Sequence, residues 1–196
     1  VGEQTISNQT FGPADGPPLL LMHGWLEIGR DLGIVADSLA GAGYRVVLPD
    51  VAGYGRSTPP GRTYPDDFYP RDARLMAGLL DVLGIEKAHI MGFSDGGEIA
   101  LLIGILRPER CHSVIAWGAV GYYSPSVGAY VRNSPPSSVT PGQRARHPNQ
   151  PIDQWAAEWA RAFLAIVAAG GDLSRSRAHE IACPLLLMVG DRDSLN

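Results

Sequence analysis

Gly92-Phe93-Ser94-Asp95-Gly96 fits the pattern G-x-S-x-G. A serine there can attack a carbonyl carbon when a sharp turn pushes its oxygen out and a following helix start favours developing negative charge. The pattern alone is weak, since a chain of this composition gives roughly 0.2 such matches by chance. Its setting is stronger. An apolar run, Ala88–Met91, precedes it, and an apolar helical pattern follows, as strand, turn and helix require. The bland alternative is a serine that caps a helix.

Two other places could serve this chemistry. His23-Gly24-Trp25 follows the apolar run Leu19–Met22. On such a scaffold, the backbone N–H groups of Trp25 and Asp95 would hold the oxyanion. His23 itself reads as a structural histidine bonding its own loop. Asp191-Arg192-Asp193 follows the run Leu185–Val189, where an acid just past a strand end suits a Ser…Asp…His order. Asp193 is the first choice of acid and Asp191 the second; a simple turn is the bland reading. Gly53-Tyr54-Gly55-Arg56-Ser57 is followed by Thr58, so it fails as a dinucleotide fingerprint. No P-loop, H-E-x-x-H or C-x-x-C occurs, and no metal or organic cofactor is implied.

The elements that must position these residues are legible as five short, nearly continuous apolar runs: Leu19–Met22, Val46–Leu48, His89–Met91, Val114–Trp117 and Leu185–Val189. Strands buried on both faces read this way. Leu75, Met76, Leu79, Leu80 and Leu83 repeat at helical spacing, and Gly84 ends that helix. Ile99–Leu106 reads as a buried helix stopped before Pro108. The alternation predicts an α/β fold with a doubly wound, mostly parallel sheet. Residues 119–182 interrupt it. Asn133–Pro151 holds five prolines (135, 136, 141, 148 and 151) and reads as an irregular loop. Ile152, Trp155, Ala156, Trp159, Phe163, Ile166 and Val167 then mark an amphipathic helix. The predicted division is a core over 1–118, a helical lid over 119–182, and returning core over 183–196. Trp155 and Trp159 are candidate pocket-lining residues, although packing is the commoner use of such rings.

Composition narrows the function. The 196 residues carry 16 Lys+Arg against 20 Asp+Glu, a formal charge of −4, with no basic block, which argues against nucleic acid. Apolar residues are 45%, enough for a core, yet no run reaches the ~20 residues of a membrane span. Cys111 and Cys183 cannot make a disulfide framework, and the expected setting is reducing and cytoplasmic, with free thiols.

The block from Pro49-Asp50-Val51-Ala52-Gly53-Tyr54-Gly55-Arg56-Ser57, through Gly92–Gly97, to Trp117-Gly118-Ala119 resembles the α/β-hydrolase superfamily. It is most similar to the valacyclovir hydrolase (biphenyl hydrolase-like) branch, over about 17–123 and again 181–193. The resemblance implies Ser94 as nucleophile, Asp193 as triad acid, and Trp25 and Asp95 as oxyanion donors. The implied substrate is a small carboxylic ester, with carbon–carbon bond hydrolysis or perhydrolysis as alternatives. Resemblance to haloalkane dehalogenases would require a carboxylate where Ser94 stands. Asp95 could also pair a cationic substrate group, in keeping with esters bearing a free amine, or bond nearby backbone instead. The family's general base is a histidine beyond the acid. The histidines here are 23, 89, 112, 147 and 179, all before Asp193. The expectation is therefore a longer hydrolase whose His-bearing last strand and helix follow Asn196. The alternative is a ligand-binding protein on the same scaffold.

Overall fold

The structure is a computed structural model, and it describes residues 1–133 and 139–193. Six strands form one sheet: β1 (Asn8–Phe11), β2 (Pro18–Met22), β3 (Arg45–Pro49), β4 (Ala88–Phe93), β5 (Cys111–Trp117) and β6 (Leu185–Met188). Their order is β1-β3-β2-β4-β5-β6. All neighbouring pairs are parallel except β1 with β3. The five apolar runs become β2 to β6. The strand missed by the sequence pattern is β1, whose Asn8, Gln9 and Thr10 lie on an edge and need no two-sided apolar surface.

Helices cover both faces. Leu20, Met22, Val47 and Ile90 face one side and pack with α2 (Phe68–Val82) and α3 (Asp95–Leu106). Leu19, Leu21, Val46 and Leu48 face the other and pack with α1 (Gly33–Gly41). The alternation within one apolar run is the period of two that a strand imposes. α2 starts earlier than its leucine spacing suggests, and Gly84, at φ +66°, reverses the chain after it. β6 departs from expectation. Its Leu185, Leu186 and Leu187 are 39%, 52% and 47% exposed, and among the described residues β6 is paired with β5 alone.

Between β5 and β6 lie α4 (Pro125–Asn133), α5 (Pro141–Arg146) and α6 (Ile152–Ala168). α6 is the expected amphipathic helix. It buries Trp155 and Phe163, each contributing about 2–3 kcal/mol of apolar transfer, and leaves Asp153, Gln154 and Arg161 exposed. α5 corrects the expectation of an irregular Pro-rich loop. Thr140 Oγ1 accepts the Gln143 N–H at 3.2 Å and Gln143 Oε1 accepts the Thr140 N–H at 2.9 Å, while Pro141 begins the helix. That reciprocal cap outweighs the local proline content, since proline at a first helical position loses no hydrogen bond. Pro135 and Pro136 lie outside the described residues. Among the described residues, no helix is long and apolar enough to cross a membrane.

Candidate active site

Ser94 stands at the turn from β4 into α3 with φ +54° and ψ −120°. A left-handed serine costs on the order of 1–3 kcal/mol and persists only where its surroundings force it. They do so here through glycine. A Cβ on Gly92 would lie 1.9 Å from Gly96 O, and one on Gly96 2.4 Å from Met22 O. The Ser94 N–H donates to Trp117 O at 2.8 Å, and its carbonyl accepts the Gly97 and Glu98 N–H groups. The loop after β2 lies alongside, for a Cβ on Gly24 would sit 3.1 Å from Ser94 Cβ. Among the described residues, the N–H groups of Trp25 and Asp95 engage no other group. Two unengaged donors flanking a protruding hydroxyl can stabilise an oxyanion.

Among the described residues, the Asp95 carboxylate is bonded by two side chains rather than by nearby backbone. Oδ1 accepts the Tyr69 hydroxyl at 2.7 Å, and Oδ2 accepts the Trp159 indole N–H at 3.1 Å. Tyr69 in turn bonds the Tyr123 hydroxyl at 2.9 Å. Burial pushes the Asp95 carboxyl up to about 6, against the pull of these donors. Trp159 is half-buried and also stacks on Trp25, with centroids 4.6 Å apart. Trp155 is placed differently. It is buried against Tyr54 and His147.

Sequence reasoning missed Tyr69, Tyr123 and a buried ion pair beneath them. Arg62 bonds both carboxylate oxygens of Asp72 and the Ala52 carbonyl, and its guanidinium lies over the rings of Tyr54 and Tyr64. Nothing in the local sequence marks these partners, which come from separate elements.

The histidines are accounted for one by one. His23 is buried; Nε2 accepts the Val51 N–H at 3.0 Å, so Nδ1 carries the proton and donates to Gly24 O at 2.9 Å. Burial lowers its pKa to about 4. It is the structural histidine expected. His147 is buried beside Leu26 O. His89 bonds Ser113 Oγ at 2.8 Å, His112 begins β5, and His179 bonds Ser176 O at 3.0 Å. None bonds Ser94 among the described residues. Asp193 lies past β6 at the carboxyl edge of the sheet, its N–H donating to Gly190 O at 3.1 Å; Asp191 is exposed in the same turn. Ser94 stands on that edge too, two strands away, after β4. Cys111 and Cys183 are free, and their side chains meet at the opposite edge. No cluster of three or more metal-ligating side chains occurs among the described residues.

The elbow, the parallel sheet and the insertion after β5 define an α/β-hydrolase scaffold. Residues 17–168 match the family described as alpha/beta hydrolase fold, and the chain belongs to that family. Serine hydrolase BPHL from Homo sapiens is 29% identical over 188 residues, covering 90% of this chain and 63% of that protein. A 2-hydroxy-6-oxo-6-phenylhexa-2,4-dienoate hydrolase from Burkholderia cepacia is 36% identical over 120 residues, covering 61% of this chain and 37% of its own length. The chain thus spans less than two thirds of these relatives. The crystal structure of an enol-lactonase from Burkholderia xenovorans LB400 superposes with a TM-score of 0.68 at 19% identity, covering 97% of this chain and 80% of the other.

Proposed function

We propose that the protein is a serine hydrolase of small carboxylic esters that forms an acyl-enzyme on Ser94. The observation that carries this reading is the strained Ser94 between two unengaged backbone N–H groups. Ser94 Oγ attacks the ester carbonyl, and the Trp25 and Asp95 N–H groups hold the tetrahedral oxygen. The alcohol leaves, and water then releases the acid. Proton transfer needs a histidine oriented by Asp193, with Asp191 as second choice. The described histidines have other contacts, and none bonds Ser94. The insertion over 119–182 acts as a lid.

The preferred esters carry a free amino group. Asp95 is a buried carboxylate next to the nucleophile, and among the described residues its hydrogen-bond donors are both neutral. The nearby cation, Arg62, is committed to Asp72. A substrate ammonium group would supply the missing counter-charge.

A fluorophosphonate tests the nucleophile. The expected result is covalent labelling of Ser94 that vanishes in Ser94→Ala. A properly folded full-length protein that resists labelling would instead favour a ligand-binding role. Carbon–carbon bond hydrolysis, the activity named for the Burkholderia cepacia relative, is separated by assaying both substrate classes on the unlabelled enzyme, with the labelled preparation as the inactivated control.

A further inference from the structure

Glu98 lies one turn beyond Asp95 on α3 and is wholly buried. Its Oε1 accepts the N–H groups of Val120 at 3.2 Å and Gly121 at 3.0 Å. Its Oε2 is buried with no partner among the described residues. Val120 and Gly121 are where the chain departs from β5 into the insertion. Gly121 O accepts the N–H groups of Leu173, Ser174 and Arg175 at 3.0, 3.0 and 3.1 Å, where the insertion returns. Tyr123 N–H donates to Gly171 O at 2.8 Å, closing the same junction. Gly121 has φ +74°, and a Cβ there would strike Ser174 Oγ at 2.3 Å. The two feet of the insertion are one hydrogen-bonded unit, and Glu98 grips it from the core.

A carboxylate is an expensive group for that position. Desolvation opposes the charged form, and an oxygen without a donor recovers none of the loss. The surroundings offer little compensation. Asp95 on the same helix adds like charge. Tyr123 presents a neutral hydroxyl already bonded to Tyr69. Asp72 on α2 is neutralised by Arg62. Arg175 of the returning foot is exposed and lies over the Tyr122 ring at 4.0 Å.

We infer that Glu98 is a positioning residue whose neutral carboxyl fastens both feet of the insertion to the helix behind Ser94, and whose ionisation loosens them. The direction follows from linkage. Burial raises the Glu98 pKa from 4.5 to about 7 when the feet are seated. Lifting the feet lets water reach the carboxyl and returns it toward its ordinary value. Protons therefore favour the seated form, and that advantage drains away as pH rises from 4.5 to about 7. Nothing in this coupling depends on which bond Ser94 attacks.

Hydrogen–deuterium exchange on the full chain tests it, read on peptides covering 119–123 and 171–175 and corrected for intrinsic exchange. Wild type should lose protection in both segments by up to about two orders of magnitude between about pH 5 and about pH 8, the ceiling set by a pKa that moves between 4.5 and about 7. Glu98→Gln keeps the accepting oxygen and cannot ionise, so it should hold the acid-side protection throughout. Asp95→Asn should retain a loss centred near the Glu98 pKa. Wild-type protection that is flat with pH, or a Glu98→Gln protein that loses as much as wild type, overturns the assignment. If Glu98→Gln does not fold, the wild-type Gly121 amide shift serves: it should move in step with the Glu98 carboxyl carbon, and independence of the two is the contrary result.

Discussion

Trp159 donates its indole N–H to Asp95 Oδ2 at 3.1 Å, joining α6 of the insertion to the residue after Ser94. The same ring stacks on Trp25. One side chain thus grips both residues whose backbone N–H groups flank the nucleophile. Trp159→Phe keeps a ring for stacking and deletes the donor. The expected cost is about 1–2 kcal/mol, as for a hydrogen bond to a largely ionised acceptor. Urea denaturation at neutral pH measures it. A variant as stable as wild type would mean that Asp95 finds an equal donor elsewhere.

Asp95 makes stability depend on pH in a stated direction. Its pKa rises from 3.8 to about 6 on folding, so between those values the native state binds more protons than the unfolded chain. Stability conferred by this group therefore falls as pH rises through that window. Asp95→Asn cannot titrate. Its stability relative to wild type should increase from about pH 4 to about pH 7 in urea titrations, following that linkage. A constant difference across the range would contradict the burial argument.

His23 works in the opposite sense. Its pKa falls from 6.5 to about 4, so acid favours the unfolded chain, and the group's contribution is lost as pH drops through that interval. The ring is fixed in one tautomer by Val51 N–H and Gly24 O. In a proton NMR titration its Cε1–H resonance should stay unmoved from about pH 8 down to about pH 5, whereas an unburied histidine titrates near 6.5. Movement at that ordinary pKa would reopen His23 as a base.

What the sequence made legible was what local chemistry decides. Apolar runs at Leu19–Met22 and Val114–Trp117 mark doubly buried strands, Gly84 marks a helix end, and Gly92 and Gly96 mark a turn too tight for a Cβ. β1 was hidden because an edge strand tolerates Asn8 and Gln9. α5 was hidden because five prolines outweighed one capping box at Thr140. The partners of Asp95 were hidden for a different reason. Tyr69 comes from α2 and Trp159 from α6, so neither spacing nor residue type announces the meeting. Glu98 carried a weak signal, a second charge on a helix that is apolar from Ile99 to Leu106.

The buried pair Arg62–Asp72 offers the sharpest test of how the floor of this region is held. Arg62 and Asp72 are 4% and 0% exposed, and the guanidinium also bonds Ala52 O at 3.0 Å. Their attraction must first offset the desolvation of two ions, so the pair's net worth is far smaller than the cost of breaking it. Asp72→Ala strands a buried cation that cannot shed its proton, and should cost about 3–5 kcal/mol in urea denaturation. Arg62→Met with Asp72→Leu removes both charges at similar volume and should recover most of that loss. The double variant removes from Asp95 both the lowering influence of Arg62 and the raising influence of Asp72, so the two largely offset each other at its carboxyl. If the double variant is no more stable than Asp72→Ala, then the Arg62 contacts with Ala52 O and the Tyr54 and Tyr64 rings, rather than the ion pair, hold this floor together.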